Sequence, residues 1–438
     1  MIGVRKLSPG GYEYLTGSVA CADRTLEPGE SLADYYFAHG YPPGQWFGAG
    51  AAALGMSGQV TREQMQALFG EGRHPDADRI QAEMIAAGAT PKEALAATKL
   101  GNRFAQYDGI DKLRSAVIAA YKQHNADNGR PIGAPIDDET RARIRRDVQA
   151  QAFAAAHEGR QPTTAELNKW LAAQKRSMKS ATAGYELVIA PPKSVSVAFA
   201  LGDEQLRELV VSLHRQAVTD ALTYFQDNIA YTRKGAGGVA QFDVQGITAA
   251  MFEHWDSRAA DPHLHTHVTI STKVQGPDGK WTSLDGRTVL AAAVTLSEYY
   301  NSRVRDLFRE HGASWTERPA GGYDLKRPVW ELDGVANELI LGFSQRAAQV
   351  EAERARQIVA FRHEHDREPS PQEMQEISRR AQYGTRDPKR APQTLTDHLR
   401  RWGAQALEMV SDRTVITTLR DRIFGGEAES LSEVNVAE

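Results

Sequence analysis

The sequence predicts an α/β protein of the α+β class, in which antiparallel strands near the middle of the chain are flanked by helices. Short apolar runs bounded by turn residues lie between residues 185 and 284 and are typical of strands. Apolar residues recur three and four positions apart over residues 64–179 and again beyond Val335, which is typical of amphipathic helices. At 438 residues, with 41% hydrophobic and 25% charged residues, the chain has material for about two or three domains, or for one large domain with insertions.

Charge, cysteine content and apolar runs exclude several classes of protein. A net charge of -4 excludes a histone-like polycation, but not a nucleic-acid enzyme, because phosphate binding depends on where positive charge clusters. The single cysteine, Cys21, excludes an intramolecular disulfide, a Cys-based zinc module and an iron-sulfur centre. The sequence has no apolar run of roughly 18 residues and no GxxxxGK[ST] loop. We therefore expect a cytoplasmic protein with no membrane insertion and no ATP-driven motor of that type.

The first third of the chain changes character near residue 64. The N-terminal 70 residues are rich in glycine and have five tyrosines between positions 12 and 41. Residues 64–179 are dominated by Ala, Glu, Gln and Arg, which predicts several helices. Residues 141–179 carry nine Lys or Arg against three acids, and we favour a solvated helix face over a phosphate-binding track for them.

The central part of the chain predicts a strand, a long helix and two neighbouring antiparallel strands. An apolar run over residues 185–190 stops at Pro191, and residues 203–228 have apolar side chains on one helical face. Partial alternation predicts strands over residues 239–253 and 264–274, joined by a polar loop. The second strand should continue through a turn into residues 280–284.

The rest of the chain predicts mainly helices. The expected elements are a helix over residues 287–310, a hairpin with arms at 315–318 and 323–325, helices beyond 335, and a frayed acidic tail at 427–438.

Three histidines alternate in the run that starts at Pro262. On a strand, His263, His265 and His267 project from one face, roughly 6 to 7 Å apart per pair. His254 lies at the end of the preceding strand, and a hairpin would bring it beside His265 and His267. Three imidazoles can hold one divalent ion and leave positions open for water or substrate.

Strand histidines have another interpretation. A single one is more often a buried polar residue that is satisfied by hydrogen bonds. For this group we favour a metal site, because burying several imidazoles together without a ligand is costly. His263, directly after Pro262, is interpreted as a group that supports a ligand or contacts DNA.

A metal held in this way can act as a Lewis acid on a phosphoryl oxygen, but phosphoryl transfer also requires a nucleophile. Tyr12, Tyr14, Tyr35 and Tyr36 are the candidates, because a phenolate can attack phosphorus and form a covalent ester. Tyrosines considered alone are more often core or interface aromatics. Only their pairing with the metal site favours the catalytic interpretation.

Four sequence blocks occur in a characteristic order. They are Gly11–Leu15; Asp34–Tyr36 with Gly44–Gly48 and Leu54–Gly58; Glu186–Ser196; and His254 with Asp261–His267. In these blocks the chain resembles the relaxase domains of the MobF family of conjugative plasmid-transfer proteins, the TrwC-like and TraI-like relaxases of the HUH endonuclease class. The resemblance covers the chain apart from about residues 69–180, which we interpret as a lineage-specific helical insertion.

The resemblance implies roles for individual residues. The implied metal ligands are His254, His265 and His267, and the implied nucleophiles are Tyr12 or Tyr14, with Tyr14 favoured, and the pair Tyr35 and Tyr36. Glu186 stands where the family usually has Asp, as the acid that orients a ligand histidine or takes the tyrosine proton. Abundance favours Mg or Mn as the divalent metal ion, while imidazole ligands also suit Zn and Ni.

The implied fold is a five-stranded antiparallel HUH relaxase palm with flanking helices. We expect an N-terminal catalytic-Tyr segment at 1–70, a helical insertion at 71–180, the palm with the metal site at 181–330 and a C-terminal helical lid at 331–438, all within one relaxase domain. Full-length members usually carry a helicase after the relaxase, and this chain ends before such a domain, which is consistent with a fragment of a longer protein.

The implied reaction is transesterification of single-stranded DNA at a plasmid origin of transfer. A tyrosine attacks one phosphodiester and leaves a free 3′-hydroxyl and a 5′-phosphotyrosine, and religation follows. DNA contacts are expected from Lys193, His263, Arg386 and Lys389, with Trp402 or Tyr383 available for base stacking. The implied partners are origin DNA and conjugation accessory and coupling proteins, and the chain is expected to be a monomer.

Two other functions are consistent with the same residues. A three-His metal hydrolase acting on another phosphodiester would form no covalent DNA adduct and would not depend on any tyrosine. A non-cutting single-stranded DNA-binding module with structural histidines would bind origin DNA and leave it intact.

Overall fold

The computed structural model describes residues 1–16, 42–104, 109–130, 134, 136–177, 181–257, 259–318, 329–385 and 394–426. Two compact units are present. Met1–Arg103 and Thr182–Glu438 form the first, here called the large unit, and Phe104–Ala181 form the second, here called the inserted unit. No helix in the described part of the chain is long and apolar enough to cross a bilayer.

The large unit is built on a five-stranded antiparallel sheet. The strands of this unit are β1 (Ile2–Leu7), β2 (Gln45–Phe47), β3 (Gly184–Ile189), β4 (Tyr231–Lys234), β5 (Ala240–Asp243), β6 (Ala249–Asp256), β7 (Pro262–Ser271), β8 (Lys273–Gln275), β9 (Trp281–Ser283), β10 (Trp315–Glu317) and β11 (Trp330–Leu332). The sheet has the order β1-β3-β7-β6-β2, and every neighbouring pair is antiparallel. The predicted five-stranded antiparallel sheet is therefore confirmed.

Strand β7 lies at the centre of the sheet, and its alternation divides its side chains between two environments. Leu264, Thr266, Val268 and Ile270 form one row and are all buried. Helical residues pack on that row, where His214 bonds to the hydroxyl of Thr266. The other row carries the histidines. Nearly all residues of β7 are buried, so both faces of this strand are covered.

The strands near β7 are shorter than the sequence predicts. Residues 239–253 contain all of β5 and the start of β6, and residues 264–274 contain most of β7 and the start of β8. A bend at Thr272 separates β7 from β8, since its backbone N–H donates to Ala183 and its carbonyl accepts from Leu284 instead of continuing one ladder. Strand β8 then pairs with β9 as the predicted hairpin.

Helices occupy most of the remaining chain. In order they are α1 (Glu13–Thr16), α2 (Ala49–Ala53), α3 (Arg62–Met65), a π-helix (Gln66–Glu71), α4 (Ala77–Ala86), α5 (Pro91–Ala97), α6 (Gly109–Asp127), α7 (Asp138–Ala156), α8 (Thr164–Ser177), α9 (Lys193–Leu201), α10 (Glu204–Asn228), a 3₁₀ turn (Ala236–Gly238), α11 (Gly286–Ala291), α12 (Ala293–Arg309), α13 (Asn337–Gly342), α14 (Gln345–His365), α15 (Pro371–Gly384), α16 (Leu395–Met409), α17 (Thr414–Thr417) and α18 (Leu419–Phe424).

Helix boundaries follow local chemistry. Asp203 caps α10, because its carboxylate accepts from the backbone N–H of Leu206 at 2.7 Å. The helix predicted over residues 287–310 divides into α11 and α12 at Ala292. Strand β10 pairs with β11, while the second hairpin arm predicted at residues 323–325 and the tail predicted at 427–438 lie outside the described residues.

The inserted unit consists of α6, α7 and α8. Its aromatic centre is Phe153, whose ring stacks on His157 at 3.9 Å and meets Trp170 edge-on at 5.6 Å. Helices α4 and α5 also fall within the segment predicted as a helical insertion, and they belong to the large unit.

Candidate metal centre

Three histidines converge on one face of the sheet because of the register between β6 and β7. His254 is directly opposite His265, and Phe252 is directly opposite His267. Since alternate residues of a strand share a face, His265 and His267 lie on the same side as His254. All three side chains are buried, and one ligand atom from each lies within 4.8 Å of the others. The geometry is that of a site able to hold one metal ion.

Hydrogen bonds fix which nitrogen of two of these rings carries the proton. His265 Nδ1 lies 2.7 Å from the carbonyl oxygen of His263, and His267 Nδ1 lies 2.7 Å from Glu186 Oε1. The His263 carbonyl can only accept, and the Glu186 carboxylate, which is paired with Arg5, accepts as well. Both Nδ1 atoms therefore donate, and both Nε2 atoms present lone pairs.

The two Nε2 atoms face each other at 3.1 Å. Two lone pairs at that distance repel unless a cation or a proton lies between them. The separation is about that of two imidazole nitrogens that each lie about 2.0–2.1 Å from one ion. The donor set therefore fits a divalent cation.

Burial favours the neutral, metal-binding form of these rings. Desolvation, followed by the neighbouring histidines, lowers the pKa of His254 and His267 well below the ordinary value, and burial also lowers the pKa of His265. A neutral imidazole is the form that ligates a metal, so little free energy is needed to deprotonate the site near neutral pH.

Glu186 supports the histidines from the neighbouring strand. It lies on β3, diagonally across from His267, and its side chain is fully buried. Arg5, directly opposite on β1, donates to Glu186 Oε2. Burial raises the pKa of Glu186, and the Arg5 guanidinium opposes that rise. The structure thus brings Glu186 to a predicted ligand, and its part in the reaction stays a prediction.

The candidate nucleophiles are described only in part. Tyr12 is a buried core residue that packs against Gly70, and burial raises the pKa of its hydroxyl, which disfavours the phenolate. Tyr14 belongs to α1, while Tyr35 and Tyr36 lie outside the described residues.

Two predicted DNA-binding residues lie beside the histidines. Lys193, at the start of α9, donates through Nζ to the carbonyl of Pro262 at 2.6 Å, and burial lowers its pKa to about 8. The ring of His263 stacks on His265, with centroids 4.6 Å apart. Arg386 and Lys389 lie outside the described residues.

Trp402 is not available for base stacking, contrary to the expectation from the sequence. Its side chain is fully buried, its indole N–H donates to the carbonyl of Ala260 at 2.8 Å, and its ring stacks on His398. The spacing of apolar residues in a helix does not show that an aromatic residue is buried when it packs on a turn that is distant in the sequence. Tyr383, the other candidate for stacking, belongs to α15.

Sequence reasoning also missed a polar network on the opposite face of the sheet. His214 lies between the Tyr300 hydroxyl, at 2.7 Å, and the Thr266 hydroxyl, at 3.0 Å, and all three residues are buried. Burial lowers the pKa of His214 to about 3. One signal was present in the sequence, since His214 falls on the apolar face of the helix that was predicted over residues 203–228.

Comparison with curated proteins finds relatives over about half of the chain. The multifunctional conjugation protein TraI of Escherichia coli is 31% identical over 218 residues, which are 48% of this chain and 12% of the relative. TraI of Escherichia coli strain K12 is 30% identical over 214 residues, with the same coverage. The chain thus aligns with a small part of these much longer proteins.

Solved structures share the fold. A copper-bound structure of the conjugative relaxase TrwC in complex with oriT DNA superposes with a TM-score of 0.53 at 18% identity, covering 93% of this chain and 98% of that one. A metal-bound TrwC complex with oriT DNA gives a TM-score of 0.51 with the same identity and coverage. The family model of the TrwC relaxase matches residues 8–409. The chain therefore belongs to the TrwC relaxase family.

Proposed function

We propose that this chain is a DNA relaxase that nicks one strand of plasmid DNA at an origin of transfer and religates it during conjugation. The main structural support is the buried cluster of His254, His265 and His267, in which two Nε2 atoms face each other at 3.1 Å. Family membership supports this function, and so do the names of the relatives, which are conjugation proteins and a relaxase bound to oriT DNA.

The three histidines would hold one divalent metal ion, for which we propose Mg or Mn, with Zn or Ni as alternatives. Such an ion supplies positive charge against the non-bridging oxygens of the scissile phosphate. Glu186 holds the Nδ1 proton of His267, and the His263 carbonyl holds that of His265, so that both rings present Nε2. The proposed roles of these residues are to orient the ligands and to keep them neutral.

The nucleophile would be a tyrosine hydroxyl, with Tyr14 favoured over Tyr12, and Tyr35 or Tyr36 serving a second transfer. The tyrosine hydroxyl gives up its proton as its oxygen forms a bond to phosphorus, the bond from phosphorus to the 3′-oxygen breaks, and the 3′-oxygen takes up one proton and leaves as a hydroxyl. One phosphoester replaces another, so religation by a 3′-hydroxyl requires no ATP.

Lys193, His263, Arg386 and Lys389 are proposed to contact the DNA. Lys193 and His263 lie beside the histidine cluster, which supports a contact with the phosphate next to the cut. We further propose that the chain acts in the cytoplasm as a monomer, together with conjugation accessory and coupling proteins.

The test is the covalent intermediate. The full chain is incubated with Mn²⁺ and a single-stranded oligonucleotide spanning the nick site, and a protein-DNA species that survives denaturation is sought. We expect this species in the native chain and a loss of at least about tenfold in Tyr14→Phe, because removing the attacking oxygen leaves only the other tyrosines. Tyr121→Phe, in the inserted unit, is the matched control and should form it normally.

Two results would contradict the proposal in different ways. Tight DNA binding with no covalent species would favour the non-cutting binding module. Cleavage without any covalent species, unchanged when Tyr12, Tyr14, Tyr35 and Tyr36 are all replaced by Phe, would favour a three-His metal hydrolase.

A further inference from the structure

We propose that helix α16 positions the metal centre, with Arg401 and Trp402 holding the turn between β6 and β7. The inference rests on the proposed function, since it concerns the same three-histidine site. It assigns to the C-terminal helical segment a part in shaping the cluster, in addition to any contact that this segment makes with DNA.

The contact begins at one carbonyl group of the turn. The carbonyl of Ala260 accepts from Trp402 Nε1 at 2.8 Å and from Arg401 Nη2 at 2.6 Å. Ala260 has a φ of 62°, in the left-handed region that residues with a side chain rarely adopt. Such a conformation persists where surrounding contacts fix it, and the two donors from α16 are contacts of that kind.

A second contact reaches the end of β6. His398 Nδ1 accepts from Arg401 Nη2 at 2.9 Å, which leaves the proton on Nε2, and this atom lies 3.6 Å from Asp256 Oδ2. The ring of His398 stacks on Trp402, with centroids 5.0 Å apart. Helix α16 therefore contacts both the last residue of β6 and the turn that follows it.

The neighbouring turn residues are also held. The Asp261 carboxylate accepts from the backbone N–H of Arg346 at 3.5 Å, and the Pro262 carbonyl accepts from Lys193. Three helices, α9, α14 and α16, thus bond to three consecutive residues, and α16 supplies two donors to one of them.

This turn determines how two of the histidines face each other. Asp256 pairs with Pro262, and the register shifts between His254 and Asp256, so an irregularity separates the turn from the opposed pair His254 and His265. A β-bulge is a point where one strand can change its offset against its partner. Fixing the turn from outside therefore fixes the offset of His254 relative to His265.

The predicted consequence is a loss of metal affinity when the donors are removed. Residues that orient metal ligands typically contribute about 10–100-fold to affinity. Trp402→Phe keeps a smaller aromatic ring in the core and removes the N–H, and Arg401→Met keeps a partly exposed aliphatic stem and removes both bonds. We expect each variant to bind Mn²⁺ about tenfold more weakly than the native chain in calorimetric titration.

A matched control separates positioning from general stability. Phe308→Leu thins a buried aromatic cluster with Trp315 and Phe424, so it should lower the melting temperature without changing Mn²⁺ affinity. Folding of each variant is checked by circular dichroism, and Arg401→Met decides the result if Trp402→Phe is unfolded.

The outcomes distinguish this inference from the proposed function. If the native chain binds none of Mn²⁺, Mg²⁺, Zn²⁺ and Ni²⁺, the proposed metal site fails, and the proposed function and this inference fail with it. If the native chain binds Mn²⁺ and the folded variants bind it equally well, or if Phe308→Leu weakens binding as much as they do, only the positioning role of α16 is overturned.

Discussion

Glu186 is a single buried carboxylate that contacts residues on both neighbouring strands. Its two oxygens are divided between a guanidinium on one neighbouring strand and an imidazole on the other. Burial alone would favour the protonated acid, and Arg5 opposes it. The pair therefore keeps an acceptor in place for the Nδ1 proton of His267.

We expect Glu186→Gln to lower Mn²⁺ affinity by about tenfold, because a neutral amide orients the imidazole less strongly and leaves Arg5 without its ionic partner. Calorimetric titration measures the effect. Glu253→Gln is the matched control, since Glu253 lies on β6 beside His254 and binds Arg215 at 2.7 Å instead. Equal Mn²⁺ affinity in Glu186→Gln and the native chain would contradict the orienting role.

The buried His214, on the opposite face of the sheet, should make the stability of the fold depend on pH. Its folded pKa of about 3 lies below the ordinary value of 6.5, so between these values the unfolded chain binds the additional proton. Stability that this residue contributes is present above about pH 6.5 and is lost as pH falls, by about 1.4 kcal/mol per pH unit.

Thermal unfolding of the metal-free chain between pH 7.5 and 5 measures this effect. We expect the melting temperature to fall below about pH 6.5, and His214→Gln to show a shallower fall because one titrating group has been removed. His124→Gln, at a half-buried position of the inserted unit, is the control. If the melting temperature of His214→Gln depended on pH as that of the native chain does, the assignment of a neutral buried His214 would be contradicted.

At the scale of elements, the sequence predicted the strands whose pattern is local. The alternation of His263, His265 and His267 was sufficient to predict that they share one face of β7. Strand β1 was missed, because its run from Ile2 to Leu7 includes Arg5 and Lys6 and has no alternation typical of a strand. Strand β2 has three residues, too few for a pattern.

Contacts between residues that are distant in the sequence explain the other features that the sequence did not predict. Arg5 meets Glu186 across 181 positions, and Trp402 meets Ala260 across 142. Such pairings are set by tertiary packing, and neither residue carries a local signal of its partner. The same reason accounts for the wrong expectation that Trp402 would be free to stack on a base.

At the scale of the whole molecule, the large unit joins segments that are far apart in the sequence into one sheet and one site. Residues from β1, β3, β6 and β7 contribute to the cluster, and α9, α14 and α16 hold the turn beside it. The inserted unit interrupts the large unit between residues 103 and 182. Strand pairing therefore joins β1 and β2 to strands that follow the inserted unit in the sequence, and so assembles the site.

Anomalous diffraction from a crystal grown with Mn²⁺ shows whether the three imidazoles share one cation. We expect one anomalous peak about 2.0–2.3 Å from a ring nitrogen of each of His254, His265 and His267. A peak bound elsewhere, or no peak between these rings under conditions that saturate binding, would contradict it.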